Sequence, residues 1–173
     1  MLKQCYKYCS LLVCMFGLTI YAQGDTIPPL VIDSLYNNLP VYDSLLSVAP
    51  DHNGGRSADF FINHPELFEL VSDDFNYQND TDYWFSFVLK SELSEDSDWM
   101  LYLGNLGYAD VFLEQEDGSF LHRQAGKYVP YDDRDVTEGR SFKVRIHLEA
   151  ATTKHVLIML REVDHTPINP SFS

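Results

Sequence analysis

Along the second half of the chain apolar residues fall at every second position. From Phe142 to Glu149 the alternation of Phe142, Val144, Ile146 and Leu148 with Lys143, Arg145, His147 and Glu149 is unbroken, which predicts a strand with one face in a core and one in water. Tyr83 to Lys90, dense in aromatic and β-branched residues, reads as a further strand, followed by Trp99 to Leu103, Tyr108 to Glu114 and Phe120 to Gln124. Val156 to Val163 is apolar on both phases as far as Arg161, so a central position with both faces covered is expected. Glu116-Asp117-Gly118-Ser119 predicts a hairpin turn, because Asp-Gly supplies the left-handed backbone that a two-residue connection requires.

Before Asp82 the pattern is weaker. Leu30 to Ile32 predicts a leading strand, and the short amphipathic stretch Val41 to Val48 a loop with one helical turn. After the Asp51-His52-Asn53-Gly54-Gly55 loop, Ala58 to Ile62 predicts a short helix or an edge segment. Strands at roughly ten-residue intervals, without a long helical period, favour an all-β jelly roll or β-sandwich with short helical segments near the N-terminus. Pro167 to Ser173 reads as the start of another extended segment, so the domain is expected to be truncated before its last strand.

The first residues have a different character. Lys3 and Lys7 precede an apolar run from Leu11 to Ile20 that ends in Tyr21-Ala22-Gln23. This is the layout of a secretory signal peptide, residues 1–22, cut after Ala22, with residues 23–173 forming a single exported domain. The run is roughly a dozen residues, short of the ~20 that a spanning helix needs. Cys5, Cys9 and Cys14 all lie in this leader, which excludes a disulfide framework in the mature domain. Val13 replaces the small residue that lipidation of Cys14 would want. The formal charge is −14, and losing Lys3 and Lys7 makes it more negative. Such a surface repels nucleic acid and anionic lipid.

Catalytic patterns are absent. There is no Gly-x-Ser-x-Gly elbow, and a Ser-His-Asp set would have to assemble from scattered residues. The acids Glu95-Asp96, Asp98, Glu116-Asp117, Asp132-Asp133 and Asp135 sit in turns, where solvation accounts for them. The six histidines show no zinc-ligand spacing. No enzyme and no cofactor is expected. Calcium has one weak candidate set, Asp73, Asp74, Asp80 and Asp82, in a loop with Asn76 and Asn79 that lacks EF-hand spacing and is otherwise a solvated polar loop.

Binding chemistry is better represented. Sugar recognition uses exposed aromatic rings flanked by polar side chains, and Trp84, Trp99, Tyr102, Tyr108, Tyr128 and Tyr131 supply rings, most of them needed for a core. Trp84, inside the densest strand, is expected to be core. The segment from Gly126 to Asp135 is a loop carrying Tyr128, Tyr131, Asp133 and Arg134, which form the candidate ligand-binding set. The competing reading has Arg134 pairing with a neighbouring Asp to pin the loop. Lys143, Arg145 and His147 share one strand face as a basic stripe, either a solvated face or a receiver of anions.

The ordered set of Tyr83-Trp84-Phe85-Ser86-Phe87, Trp99-Met100-Leu101-Tyr102-Leu103-Gly104, Tyr108-Ala109-Asp110-Val111-Phe112-Leu113, Asp117-Gly118, Gly126, Pro130, Arg134, the Phe142 strand and Leu157-Ile158-Met159-Leu160-Arg161 resembles the type 2 extracellular domain of bacterial seven-transmembrane receptors with diverse intracellular signalling modules, the DISM family. The resemblance covers roughly Val31 to Phe172. It implies a periplasmic jelly roll like those of carbohydrate-binding modules, followed by seven membrane helices and a cytoplasmic output module. Neither is contained in this chain, so the chain is expected to be the N-terminal fragment of such a receptor. Its expected function is extracytoplasmic sensing of a small ligand, with a saccharide as the class suggested by the fold. The alternatives are a free-standing secreted carbohydrate-binding or adhesion module, and a spacer or dimerisation domain without a ligand.

Overall fold

The structure, a computed structural model, describes residues 27–34, 39–41, 43–52, 54–72, 75, 78, 81–104, 106–137, 142–161 and 171–172. The predicted signal peptide and the calcium candidates Asp73, Asp74 and Asp80 lie outside them.

The strands in chain order are β1 (Leu30–Ile32), β2 (Leu39–Pro40), β3 (Ser47–Asp51), β4 (Glu69–Leu70), β5 (Asp82–Ser91), β6 (Ser97–Gly104), β7 (Tyr108–Glu114), β8 (Phe120–Ala125), β9 (Phe142–Leu148), β10 (Thr153–Arg161) and β11 (Ser171–Phe172). One α-helix among the described residues, α1 (Ala58–Ile62), lies between β3 and β4. The larger sheet runs β4-β3-β5-β10-β7-β8, and the smaller β2-β11-β6-β9. All pairings are antiparallel except that of β1, which runs parallel to the end of β5 at Leu89, Lys90 and Ser91. The molecule is therefore an all-β sandwich.

The period-two pattern explains the layers. Phe85, Phe87 and Leu89 of β5, Val156, Ile158 and Leu160 of β10, and Val111 and Leu113 of β7 face Leu101 and Leu103 of β6 and Val144, Ile146 and Leu148 of β9 in one core. β10 pairs with β5 on one side and β7 on the other, and Val156 to Leu160 are buried without a gap, as its unbroken apolar run predicts. Its opposite face, Leu157 and Met159, joins Ala49 and Trp84 in a second cluster closed by Phe61 of α1. Trp84 is thus core, but of this outer cluster.

Of the two readings of Ala58 to Ile62, a short helix or an edge segment, the helix is the one that forms, and its start is defined by Ser57, whose Oγ accepts the Phe60 N–H at 3.3 Å. Five residues cannot sustain a helix alone. Phe61, 1 % exposed, holds it in place by stacking on Trp84 at 4.6 Å and meeting the Phe68 ring edge at 5.9 Å.

Two local expectations are corrected. The β7–β8 connection is longer than two residues: Gly118 N–H donates to Gln115 O at 2.9 Å and Gln115 N–H to Ser119 O at 2.8 Å. Only Gly118 takes the left-handed conformation, at φ 78°, giving a three-residue connection that ends in a glycine bulge. In the N-terminal part, Val41 to Val48 contains a 3-10 turn at Asp43–Leu45, as expected, but Ser47–Asp51 is a strand. Pro50 hides it in the sequence. It is tolerated because β4 pairs only with Ser47 and Val48, leaving the adjoining edge open.

Candidate functional site

The loop from Gly126 to Asp135 leaves the edge strand of the larger sheet and returns to the edge strand of the smaller one. It begins pressed against the β6–β7 connection, where Lys127 N–H donates to Leu106 O at 2.9 Å and Tyr128 N–H to Gly107 O at 3.1 Å. Val129 is buried, and a 3-10 turn at Tyr131–Asp133 follows. Arg134 does pin the loop, though through carbonyls and not a carboxylate. Its Nε donates to Val129 O at 2.9 Å, its Nη2 to Lys127 O at 3.2 Å, and its guanidinium lies 5.4 Å from the centre of the Phe142 ring. Asp135 closes the far end, accepting the Arg145 N–H at 2.7 Å and pairing with Arg123 Nε at 2.9 Å.

This bracing leaves Tyr128 49 % and Tyr131 60 % exposed. The Tyr128 ring is tilted against Tyr108, centroids 5.5 Å apart, with the Lys127 ammonium 5.2 Å from its centre. The structure thus leaves Tyr128, Tyr131 and Asp133 exposed and ties Arg134 back to the loop's own carbonyls. A fixed loop that shows phenol rings to water can take a ring-shaped ligand with little further ordering.

A second feature, with no signal in the local sequence, is a groove of about 690 Å³ on the outer face of the larger sheet, lined by residues including Arg56, Asp59, Trp84, Phe112, His122 and Met159. In its lining the rings of Trp84, Phe112 and His122 stack in succession, at 5.8 and 4.7 Å, and Phe61, outside the lining, stacks on Trp84 at 4.6 Å. Trp84 and Phe112 each have a ring stacked on either side, so their faces are covered and unavailable to the flat side of a sugar. The outward parity of Trp84 and Phe112 could have been read from the alternation. Their adjacency could not, because β10 inserts between their strands.

The basic stripe divides. The Lys143 ammonium lies 5.8 Å from the centre of the Tyr102 ring, and His147 Nδ1 bonds Asp98 at 2.8 Å, which raises the imidazole pKa. Arg145 lines a smaller cleft beside β8. Of the calcium candidates, Asp82 is described, and its carboxylate faces Arg161 Nε at 3.3 Å.

Among the described residues there is one serine–histidine contact. Ser86 Oγ lies 2.6 Å from His155 Nε2, yet Glu114 engages the His155 backbone N–H at 3.1 Å and neither Ser86 nor His155 lines the two clefts. The burial of His155 bears on stability. Burial pushes the His155 imidazole below its ordinary value, with Glu114 acting weakly in the opposite sense. The neutral ring is favoured in the fold, so its contribution is complete above about pH 6.5 and is lost as pH falls through the lowered folded value. His147, raised by Asp98, acts oppositely but is exposed and screened by solvent. His155→Gln, which can keep a hydrogen bond to Ser86, should shrink the drop in urea midpoint between about pH 7.5 and about pH 5.5. An unchanged drop in the variant would assign it to other groups.

Residues 62–172 match the family model described as 7TMR-DISM extracellular 2. The chain belongs to this family. A 7TMR-DISM extracellular 2 domain is an extracytoplasmic sensor domain of receptors, so the domain is exported, and the family is not one of enzymes. No curated protein matches the sequence. Among solved structures, a GH31 alpha-xylosidase from Xanthomonas citri is similar with a TM-score of 0.36 and 8 % identity. That match covers 74 % of this chain and 13 % of the enzyme.

Proposed function

We propose that this 7TMR-DISM extracellular 2 domain senses a small extracytoplasmic ligand, of which a saccharide is the favoured class, at the loop carrying Tyr128, Tyr131 and Asp133. The observation that carries the reading is the exposure of two tyrosines, 49 % and 60 %, on a loop whose backbone is clamped by Arg134 and Asp135. Exposed phenol rings favour an apolar sugar face, and the Asp133 carboxylate can accept from its hydroxyls. Within a receptor, occupancy would act by favouring one arrangement of this domain against a following membrane module. Residues 1–22 serve as the export signal in this reading.

A glycan array followed by calorimetry tests it. A bound sugar should lose affinity about tenfold or more in Tyr131→Ala, and similarly in Tyr128→Ala, the size expected of an aromatic anchor. Both positions are exposed, so unfolding free energies should stay within about 0.5 kcal/mol of the wild type. Sugar affinity unaffected by both substitutions would remove the loop from the binding site.

A further inference from the structure

On the open side of the sandwich, β8 ends the larger sheet and β9 the smaller. Between them lies a cleft of about 230 Å³ lined by Arg123, Arg145, His147, Lys154, Asp135 and Glu149 over an apolar base of Leu113 and Leu121. Three permanent cations face two carboxylates there, in a chain whose formal charge is −14. We infer that this cleft binds a compact oxyanion, a carboxylate above all, with the Arg145 guanidinium as its main partner.

The charges around the cleft are mostly committed. Lys154, only 7 % exposed at its side chain, holds Glu149 at 2.8 and 3.1 Å, and Arg123 holds Asp135 at 2.9 Å. His147 is shared with Asp98 on the solvent side. The Arg145 guanidinium alone among these cations has no ion-pair partner among the described residues. A planar guanidinium at the mouth of a cleft with an apolar base matches a carboxylate by two parallel hydrogen bonds.

The backbone adds to this. Asp135 already places a carboxylate oxygen on the Arg145 N–H, so the edge of β9 accepts that group. In an antiparallel ladder, alternate residues turn their N–H groups to the same side, which puts the His147 N–H on this open edge as well. The volume suits a single acidic group or one acidic sugar ring, below the roughly 300 Å³ typical of larger ligands.

The test uses the full chain at constant ionic strength, titrated with acetate, glucuronate and glucose while backbone amide shifts and calorimetric heats are followed. Acetate or glucuronate should shift the amides of Arg145 and His147, whereas glucose should leave them unmoved. Arg145→Gln should weaken the effect by about ten- to a hundredfold, the range of a charge-assisted contact, with an unchanged melting temperature. Tyr131→Ala should leave the acetate-induced shifts of the Arg145 and His147 amides as in the wild type, which separates this cleft from the tyrosine loop. Equal affinity for acetate and glucuronate would identify free carboxylates as sufficient; much tighter glucuronate binding would identify an acidic sugar. The inference is overturned if neither carboxylate moves these amides, if Arg145→Gln binds undiminished, or if Tyr131→Ala abolishes the response.

Discussion

Gly126→Ala is expected to destabilise the domain by about 3 kcal/mol and to displace the tyrosine loop. Gly126 has φ 134°, a conformation that residues with a side chain rarely adopt. An added methyl would also strike the Gly107 carbonyl and come within 3.0 Å of Tyr108 Cα. Both are backbone atoms, so no side chain can swing away. The β6–β7 connection would have to separate from the loop, breaking the hydrogen bonds from Lys127 to Leu106 and from Tyr128 to Gly107. Gly118→Ala provides the control: it too has positive φ, but nothing lies within 4 Å of its added methyl, so only about 1 kcal/mol should be lost. Urea unfolding of the two variants decides the matter. A loss below about 1 kcal/mol in Gly126→Ala would mean that the close approach to Gly107 is not maintained in solution.

The second large effect is expected from Phe61→Ala, at about 3–5 kcal/mol, since a fully buried phenylalanine is removed and a cavity is left. Phe61 is the main link between α1 and the outer face of the larger sheet, stacking on Trp84. The truncation should loosen the helix and let water reach Trp84. The chain has two tryptophans, and Trp99 belongs to the inner cluster, so a Trp99→Phe background isolates the Trp84 emission. A red shift accompanying the stability loss is the expected result. Phe60→Ala, at a half-buried neighbour, should cost clearly less. If the two variants lose the same stability, the helix is not anchored through Phe61.

Part of the local structure was legible from residues alone. The alternation in Phe142 to Leu148 and the two-phase apolar run after Val156 both describe their burial correctly, because the side-chain period of a strand is fixed by backbone geometry and needs no partner. The segment Ala58 to Ile62 was placed as a helix or an edge segment, and the Ser57 cap that makes it a helix is a bond of the same short range, though it was not read from the sequence. The Asp-Gly turn was placed correctly, but its length was not. The Gln115 to Ser119 hydrogen bond depends on how β7 and β8 align, and Asp-Gly is compatible with both connections. Pro50 concealed β3, since a proline is admitted to a strand only beside an open edge, and that edge is set by where β4 stops.

The candidate site divides in the same way. Tyr128, Tyr131, Asp133 and Arg134 stand within seven residues, so sequence placed them in one loop; which side chains face water and which brace the backbone depended on the Val129 and Lys127 carbonyls turning toward Arg134. The stack of Phe61, Trp84, Phe112 and His122 draws on one helix and three strands, and the carboxylate cleft brings β8 and β10 of one sheet against β9 of the other. By itself the sequence determined which residues are apolar, which phase of each strand is buried and where the chain turns, all consequences of interactions within a few residues. The order of strands, the meeting of the two edges and the surroundings of each charged group were decided only by tertiary structure, because they depend on contacts between segments tens of residues apart, for which a single chain carries no local signal.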